Sequence, residues 1–148
     1  MTRVTCPIYE FIDLRVESVE NGIYRVRVPL SANVQDHLKT FHAGPIWMAA
    51  EYLGALLVLH NVDAKKYQPV IAGLDMKFIR PALSDIVSEV IFSNEQVDKM
   101  RESLDSAGRH DFTTKIVVKD TNATIVAEAE GKYTVKDFSH LLGGGSQD

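Results

Sequence analysis

The chain has 148 residues, 45% of them hydrophobic and 24% charged. That is the size and make-up of one globular domain able to bury a core without disulfides or metals. Its net charge of −4 argues against a nucleic-acid partner, which needs a basic surface. The single cysteine, Cys6, excludes an intramolecular disulfide and a thiolate zinc cluster.

Met1 to Glu10 carries no long apolar run of the signal-peptide kind, so a reducing, cytoplasmic setting is expected. Ile23 to Val28 alternates between Arg25 and Arg27 on one side and Val26 and Val28 on the other. It predicts a half-buried strand, started after the turn pair Asn21-Gly22 and stopped at Pro29. Ser31 to Phe41 is polar and irregular, a loop or short helix. Gly44-Pro45 then opens a helix expected from Pro45 to His60, since proline suits a first helical turn. From Ala43 to His60 the segment is apolar enough to suggest a membrane span. Glu51 near its middle would be expensive in lipid, and the segment reads as a helix buried inside a protein.

Strands are expected at Val70 to Ile79, Ile86 to Phe92, Phe112 to Lys119 and Thr124 to Val135. The last two alternate cleanly, and Asp120-Thr121-Asn122-Ala123 joins them as a hairpin. Between them and the earlier strands, Ser93-Asn94-Glu95-Gln96 has the form of a capping box. Val97, Met100 and Leu104 follow at helical spacing, so a helix is expected from about Asn94 to Ala107, with Gly108 as its stop. Residues 1–140 then form one domain, and 141–148 a Gly-rich tail expected to be disordered. The order of elements suits one curved antiparallel sheet wrapping the apolar helix. The side of the helix left uncovered would invite a partner subunit.

Glu51 is the most informative residue. A carboxylate dehydrated among Ile46, Trp47, Met48, Leu53 and Leu56 needs donors to stabilise its anion. It reads either as a general base or nucleophile, or as a structural carboxylate paired with an arginine. Gly44, Met48, Glu51, Gly54, Ala55 and Val58 share one helical face. The small residues there admit a narrow ligand, or simply allow close helix–sheet packing. Gly44 lies where free N–H groups of a helix start can bind an oxyanion. An acyl carbonyl at the helix start, attacked by water held by Glu51, is therefore sensible chemistry. None of the five histidines forms an HxH or HExxH pair, so no metal site is expected. His37 and His42 flank the helix start and are either catalytic or polar loop residues. Arg80 and Arg109 sit at strand boundaries, suited to salt bridges or to phosphate.

Taken in order, these motifs resemble the hotdog-fold acyl-CoA thioesterases, especially the phenylacetate-pathway type and its uncharacterised bacterial relatives. His42-Ala43-Gly44 stands where that family has an HGG motif, and Glu51 follows His42 by nine positions, as the family's acidic residue does. Phe78-Ile79-Arg80-Pro81-Ala82 and Gly108-Arg109 are similar to two further family turns. The run from Ile125 to Val135 is similar to its last strand. The resemblance covers roughly Ile23 to Val135. It implies an α+β hotdog domain, a homodimer or dimer of dimers, and active sites at the subunit interface. By the same resemblance Glu51 acts as base or nucleophile on the thioester. The N–H groups near Ala43 and Gly44 polarise its carbonyl, and Arg80 and Arg109 meet the coenzyme A phosphates. Coenzyme A enters only as part of the substrate, and no metal or redox cofactor is implied. Three departures stand out. Ala43 replaces the middle glycine, the 94–107 helix is an insertion, and Asp36 replaces an asparagine common in relatives, which makes it a further catalytic candidate as an extra carboxylate near the attacking water. Two other functions stay open. One is a 3-hydroxyacyl thioester dehydratase using His37 and Glu51, which are fourteen residues apart as in that family. The other is a non-catalytic acyl or acyl-CoA binding protein with Glu51 buried for structure.

Overall fold

The tight turn Asn21-Gly22, with φ of 52° and 76°, reverses the chain between two strands, β2 (Arg15–Glu20) and β3 (Ile23–Val28). Two successive left-handed residues give the turn whose twist matches a two-residue hairpin. In this computed structural model, which describes residues 2–3 and 6–142, β2 and β3 join a seven-stranded antiparallel sheet. The other strands are β1 (Thr2–Arg3), β4 (Tyr67–Phe78), β5 (Ile86–Ile91), β6 (Arg109–Lys119) and β7 (Ile125–Asp137). The spatial order is β1-β2-β3-β5-β6-β7-β4. The helices are α1 (Pro7–Phe11), α2 (Ala43–Asn61), α3 (Asn94–Ala107) and α4 (Ser139–Leu142), with a 3-10 turn at Ala32–Val34.

The five expected strands and two expected helices are present, with shifted ends. Helix α2 starts at Ala43 rather than Pro45, and β6 starts at Arg109 rather than Phe112. Strand β4 starts at Tyr67 and contains a register shift between Ile71 and Gly73. The elements β1, α1 and β2 are additions to the sequence reading. Strand β2 escapes a period-two reading because its pairing with β3 slips between Val16 and Ser18, which breaks the alternation. Helix α4 carries the chain to Leu142, and the rest of the expected Gly-rich tail, 143–148, lies outside the described residues.

Helix α2 lies in the concave face of the sheet. Ala49, Leu53, Leu57 and Val58 have no exposed surface, and they pack with Val26, Val28, Ile86, Val90, Ile116 and Val118 in one core. Each of the leucine, isoleucine and valine side chains contributes about 1.5–3 kcal/mol by leaving water. By length and composition α2 could cross a membrane; here the sheet covers its inner side. The outer face of the sheet is charged. Glu89 joins Arg25 and Lys119 at 3.0 and 2.7 Å, and Arg27 joins Glu17 and Asp85 at 3.3 and 2.9 Å. This division is the usual one for an antiparallel sheet with one wet face.

The two ends of α2 are treated differently. At its C-terminus, Arg101 of α3 donates from Nε and Nη2 to the Asn61 carbonyl at 3.1 and 3.0 Å. A cation there complements the negative end of the helix dipole. Helix α3 thus closes the C-terminal end, anchored by Val97, Met100 and Leu104 and by a capping box with both bonds formed. The N-terminal end of α2 faces a loop and the end of β4. Strand β4 is at the edge of the sheet, and among the described strands it pairs only with β7.

Candidate functional site

The first turn of a helix leaves its N–H groups without intrahelical acceptors. In α2 the third of these positions is Pro45, which has no N–H. The second, Gly44, donates to Nδ1 of the N-cap residue His42 at 2.9 Å. The N–H of Ala43 has no acceptor among the described residues. Of the two expected oxyanion donors, the capping bond therefore occupies Gly44 and leaves Ala43. Accepting at Nδ1 makes the neutral His42 ring the Nε2–H tautomer. The backbone N–H of His42 donates to the Val34 carbonyl, which ties the preceding loop to the helix start.

Asp36 holds that loop in shape. Its Oδ2 accepts from the Thr40 hydroxyl at 2.7 Å, and Oδ1 accepts from the N–H groups of Leu38 and Thr40 at 2.9 and 3.1 Å. The Thr40 hydroxyl, followed by these backbone donors, holds its carboxyl below the usual carboxylate range. Lys39 takes the left-handed conformation this tight turn requires, with φ of 65°. His37 lies exposed in the same turn. A groove of about 410 Å³ runs beside the loop, lined by Asp36, Thr40, Ala43, Phe78 and Arg80. Arg80 is exposed at its edge. Arg109 lies elsewhere. The N–H of Arg80 bonds to the Val126 carbonyl at one end of β7, whereas Arg109 pairs with Lys136 at the other. That separates the two arginines by roughly 30 Å along the strand. Arg109 also carries a nearby counter-charge, Asp111, at 3.2 Å.

Glu51 is half-buried on the face of α2 turned away from the sheet, between Trp47, Met48 and Ala55. Its Oε2 accepts a 2.6 Å hydrogen bond from the hydroxyl of Tyr9, in α1. The Tyr9 ring stands edge-on to Tyr52, with ring centres 5.2 Å apart. Burial, and then the Glu51 carboxylate, push the Tyr9 phenol above its ordinary range, so it stays a donor at neutral pH. Helix α1 is itself anchored. Ile12 and Leu14, just after it, are buried, and Asn33 donates to the Phe11 carbonyl at 3.0 Å. Sequence reasoning missed Tyr9. It lies 42 residues from Glu51 in a five-residue helix too short to show a period, and no spacing signal exists to find it.

The small-residue stripe splits in two. At Gly54 the ring of Tyr133 occupies the space a Cβ would need, and the Tyr133 hydroxyl donates to the Glu51 carbonyl at 3.0 Å. Close packing therefore explains Gly54. Gly44, Met48, Glu51 and Ala55 stay partly exposed. The site is thus a carboxylate with a fixed donor, on the open side of a helix whose first N–H has no acceptor within the helix. Among the described residues, no group of three or more His, Cys, Asp and Glu side chains is placed to hold a metal ion.

Several solved structures are similar to this one. A protein of unknown function from Pseudomonas aeruginosa, described as a probable thioesterase, superposes with a TM-score of 0.80 at 24% identity, over 89% of this chain and 88% of that one. A thioesterase variant from Staphylococcus aureus gives 0.71 at 14% identity, over 88% and 99%. A thioesterase from Haemophilus influenzae gives 0.70 at 12% identity, over 88% and 82%. At these identities the likeness establishes the fold, which is the expected hotdog fold. No curated protein matches the chain in sequence. The Domain of unknown function DUF4442 matches residues 1–135, nearly the full length, and the chain belongs to that family.

Proposed function

We propose that the chain hydrolyses the thioester of a small or medium acyl-CoA, at a site shared by two subunits of a cytoplasmic homodimer. The observation that carries this reading is the position of Glu51 on the open face of α2, together with the first-turn N–H of Ala43, which has no acceptor among the described residues. Glu51 takes a proton from water as the water oxygen attacks the thioester carbonyl. The oxyanion that forms is held by the Ala43 N–H and the positive end of the helix. When the intermediate collapses, the C–S bond breaks and the leaving thiolate recovers the proton from Glu51. The products are the free acid and the thiol.

Helix geometry supports the shared site. Ala43 and Glu51 are about 12 Å apart along one helix at 1.5 Å per residue. A side chain leaning back toward the N-terminus spans only part of that, whereas a reacting carbon needs donor and base each within about 3–3.5 Å. A second copy of α2, antiparallel to the first, places Glu51 of one chain beside Ala43 of the other. Two features favour such pairing. The outer face of α2 is apolar around Glu51, and β4 is a long edge strand free on one side. Arg80, beside Ala43 in the groove, is the better placed of the two arginines for the coenzyme A phosphates.

One observation favours a second reading, an acyl-CoA binder without hydrolysis. Tyr9 already occupies one oxygen of Glu51, and His42 already occupies the Gly44 N–H. Thiol release from acyl-CoAs of graded size, with the native protein and Glu51→Gln side by side, decides between the two. Hydrolysis by the native protein alone supports the enzyme. Ligand-induced thermal stabilisation of both proteins with no thiol release supports the binder.

A further inference from the structure

The Tyr9–Glu51 hydrogen bond joins the N-terminal helix to the candidate base, and the hydrolase reading does not need it. Helix α1 is well fixed, through Ile12, Leu14 and Asn33. The Tyr9 ring is set against Tyr52, so the hydroxyl is aimed rather than free to swing. At 2.6 Å the contact is as short as a hydroxyl–carboxylate bond becomes when the acceptor is charged. It uses Oε2 only, and Oε1 accepts nothing from the described residues.

The geometry points to Tyr9 as a positioning residue, whose hydroxyl fixes the orientation of the Glu51 carboxylate, leaving Oε1 as the atom that takes a proton from water. The inference rests on the hydrolase reading for its purpose, but the hydrogen bond acts on Glu51 whatever the activity. Tyr9 keeps its own proton throughout, in keeping with a phenol pushed upward first by burial and then by the neighbouring carboxylate. Among the described residues the ionisable groups around Glu51 are few. Tyr9 comes from α1, with Cys6 just before that helix, Tyr52 lies on α2 itself, and Tyr133 comes from β7. Tyr133 is spent on the Glu51 backbone carbonyl. Strand β4 sends only the apolar Ile71, Leu74 and Met76 to this side, opposite the inward positions Tyr133, Gly131 and Ala129. No cation in this set competes with Tyr9 for the carboxylate.

The test compares the native protein with Tyr9→Phe, which keeps the ring and removes the hydroxyl. Tyr52→Phe is the control, since it deletes a neighbouring hydroxyl that makes no bond to Glu51. Two readouts are taken. One is kcat and KM for thioester hydrolysis. The other is the ¹³C carboxyl signal of Glu51 in glutamate-labelled protein at neutral pH, identified by its loss in Glu51→Gln. In Tyr9→Phe kcat should fall about tenfold with KM little changed, the sign of a mis-aimed base rather than of lost binding, and the Glu51 carboxyl signal should move as its hydrogen bond is lost. In Tyr52→Phe both should stay in place. An unmoved signal in Tyr9→Phe overturns the inference, as does an equal change in both variants. If the native protein hydrolyses no thioester, the hydrolase reading falls, and the carboxyl signal still decides what Tyr9 does.

Discussion

On its inner face α2 presents Ala49, Ala50, Leu53 and Leu57, none with exposed surface. On its outer face it presents Trp47, Met48, Glu51, Ala55 and Leu59, all of them partly or largely exposed. Apart from Glu51 the two sets are chemically alike, which is why the helix is apolar all round and why its pattern alone does not say which side its own chain covers. The inner face is filled by the sheet and sets stability. The outer face is left for something else, and the one charged residue on it is fixed by a hydrogen bond from outside the core. Apolar surface left uncovered around a single oriented carboxylate is the observation behind the proposed interfacial site.

Substitutions on the two faces should separate activity from stability. Glu51→Gln is expected to lower thiol release by about 10²–10⁴-fold, the range for loss of a general base, with little change in the urea midpoint. An unchanged rate would remove Glu51 from the chemistry. Leu53→Ala, on the inner face, is expected to cost about 2–5 kcal/mol in urea unfolding. A cost below about 1 kcal/mol would mean the inner face is not the packed one.

Neighbouring positions sharpen the same contrast. Gly54→Ala drives a methyl group into the Tyr133 ring and should destabilise by about 1–3 kcal/mol. Ala55→Ser, one residue further on and on the open side, should stay within about 0.5 kcal/mol of the native protein. Equal costs at the two sites would erase the distinction between the faces. The smallest expected effect concerns the arginines. Arg80→Glu should raise KM for acyl-CoA several-fold with kcat little changed, the sign of lost uniform binding. Arg109→Glu, at the far end of β7 and already beside Asp111, should raise it less. The reverse order would move the phosphate contacts to the other end of the sheet.

What could be read in the sequence was local. The capping box at Ser93 and Gln96 and the alternation of β3 and β7 are short-range patterns, and the structure contains them. Glu51 stood out as the single charge in an apolar helix, and it lies on the open face. The features that were missed are non-local or break a period. Strand β2 hides behind a bulge. Gly54 admits a packing reading or a ligand reading until Tyr133 is seen to arrive from β7. Tyr9 reaches Glu51 only through the tertiary fold. The occupied Gly44 N–H follows from which way the His42 ring turns, and residue spacing carries no information about that.

Complementation between two inactive variants tests the shared site most directly. Ala43→Pro removes the first-turn N–H at a position where proline suits a helix, and His42 before it already has the extended backbone proline requires, with φ of −64° and ψ of 144°. Ala43→Pro and Glu51→Gln are unfolded together, refolded as a mixture and assayed for thiol release. If base and oxyanion donor come from different subunits, each mixed dimer regains one intact site, and an equal mixture should recover about a quarter of native activity. A mixture no more active than either variant alone would place both groups in one chain and contradict the interfacial site.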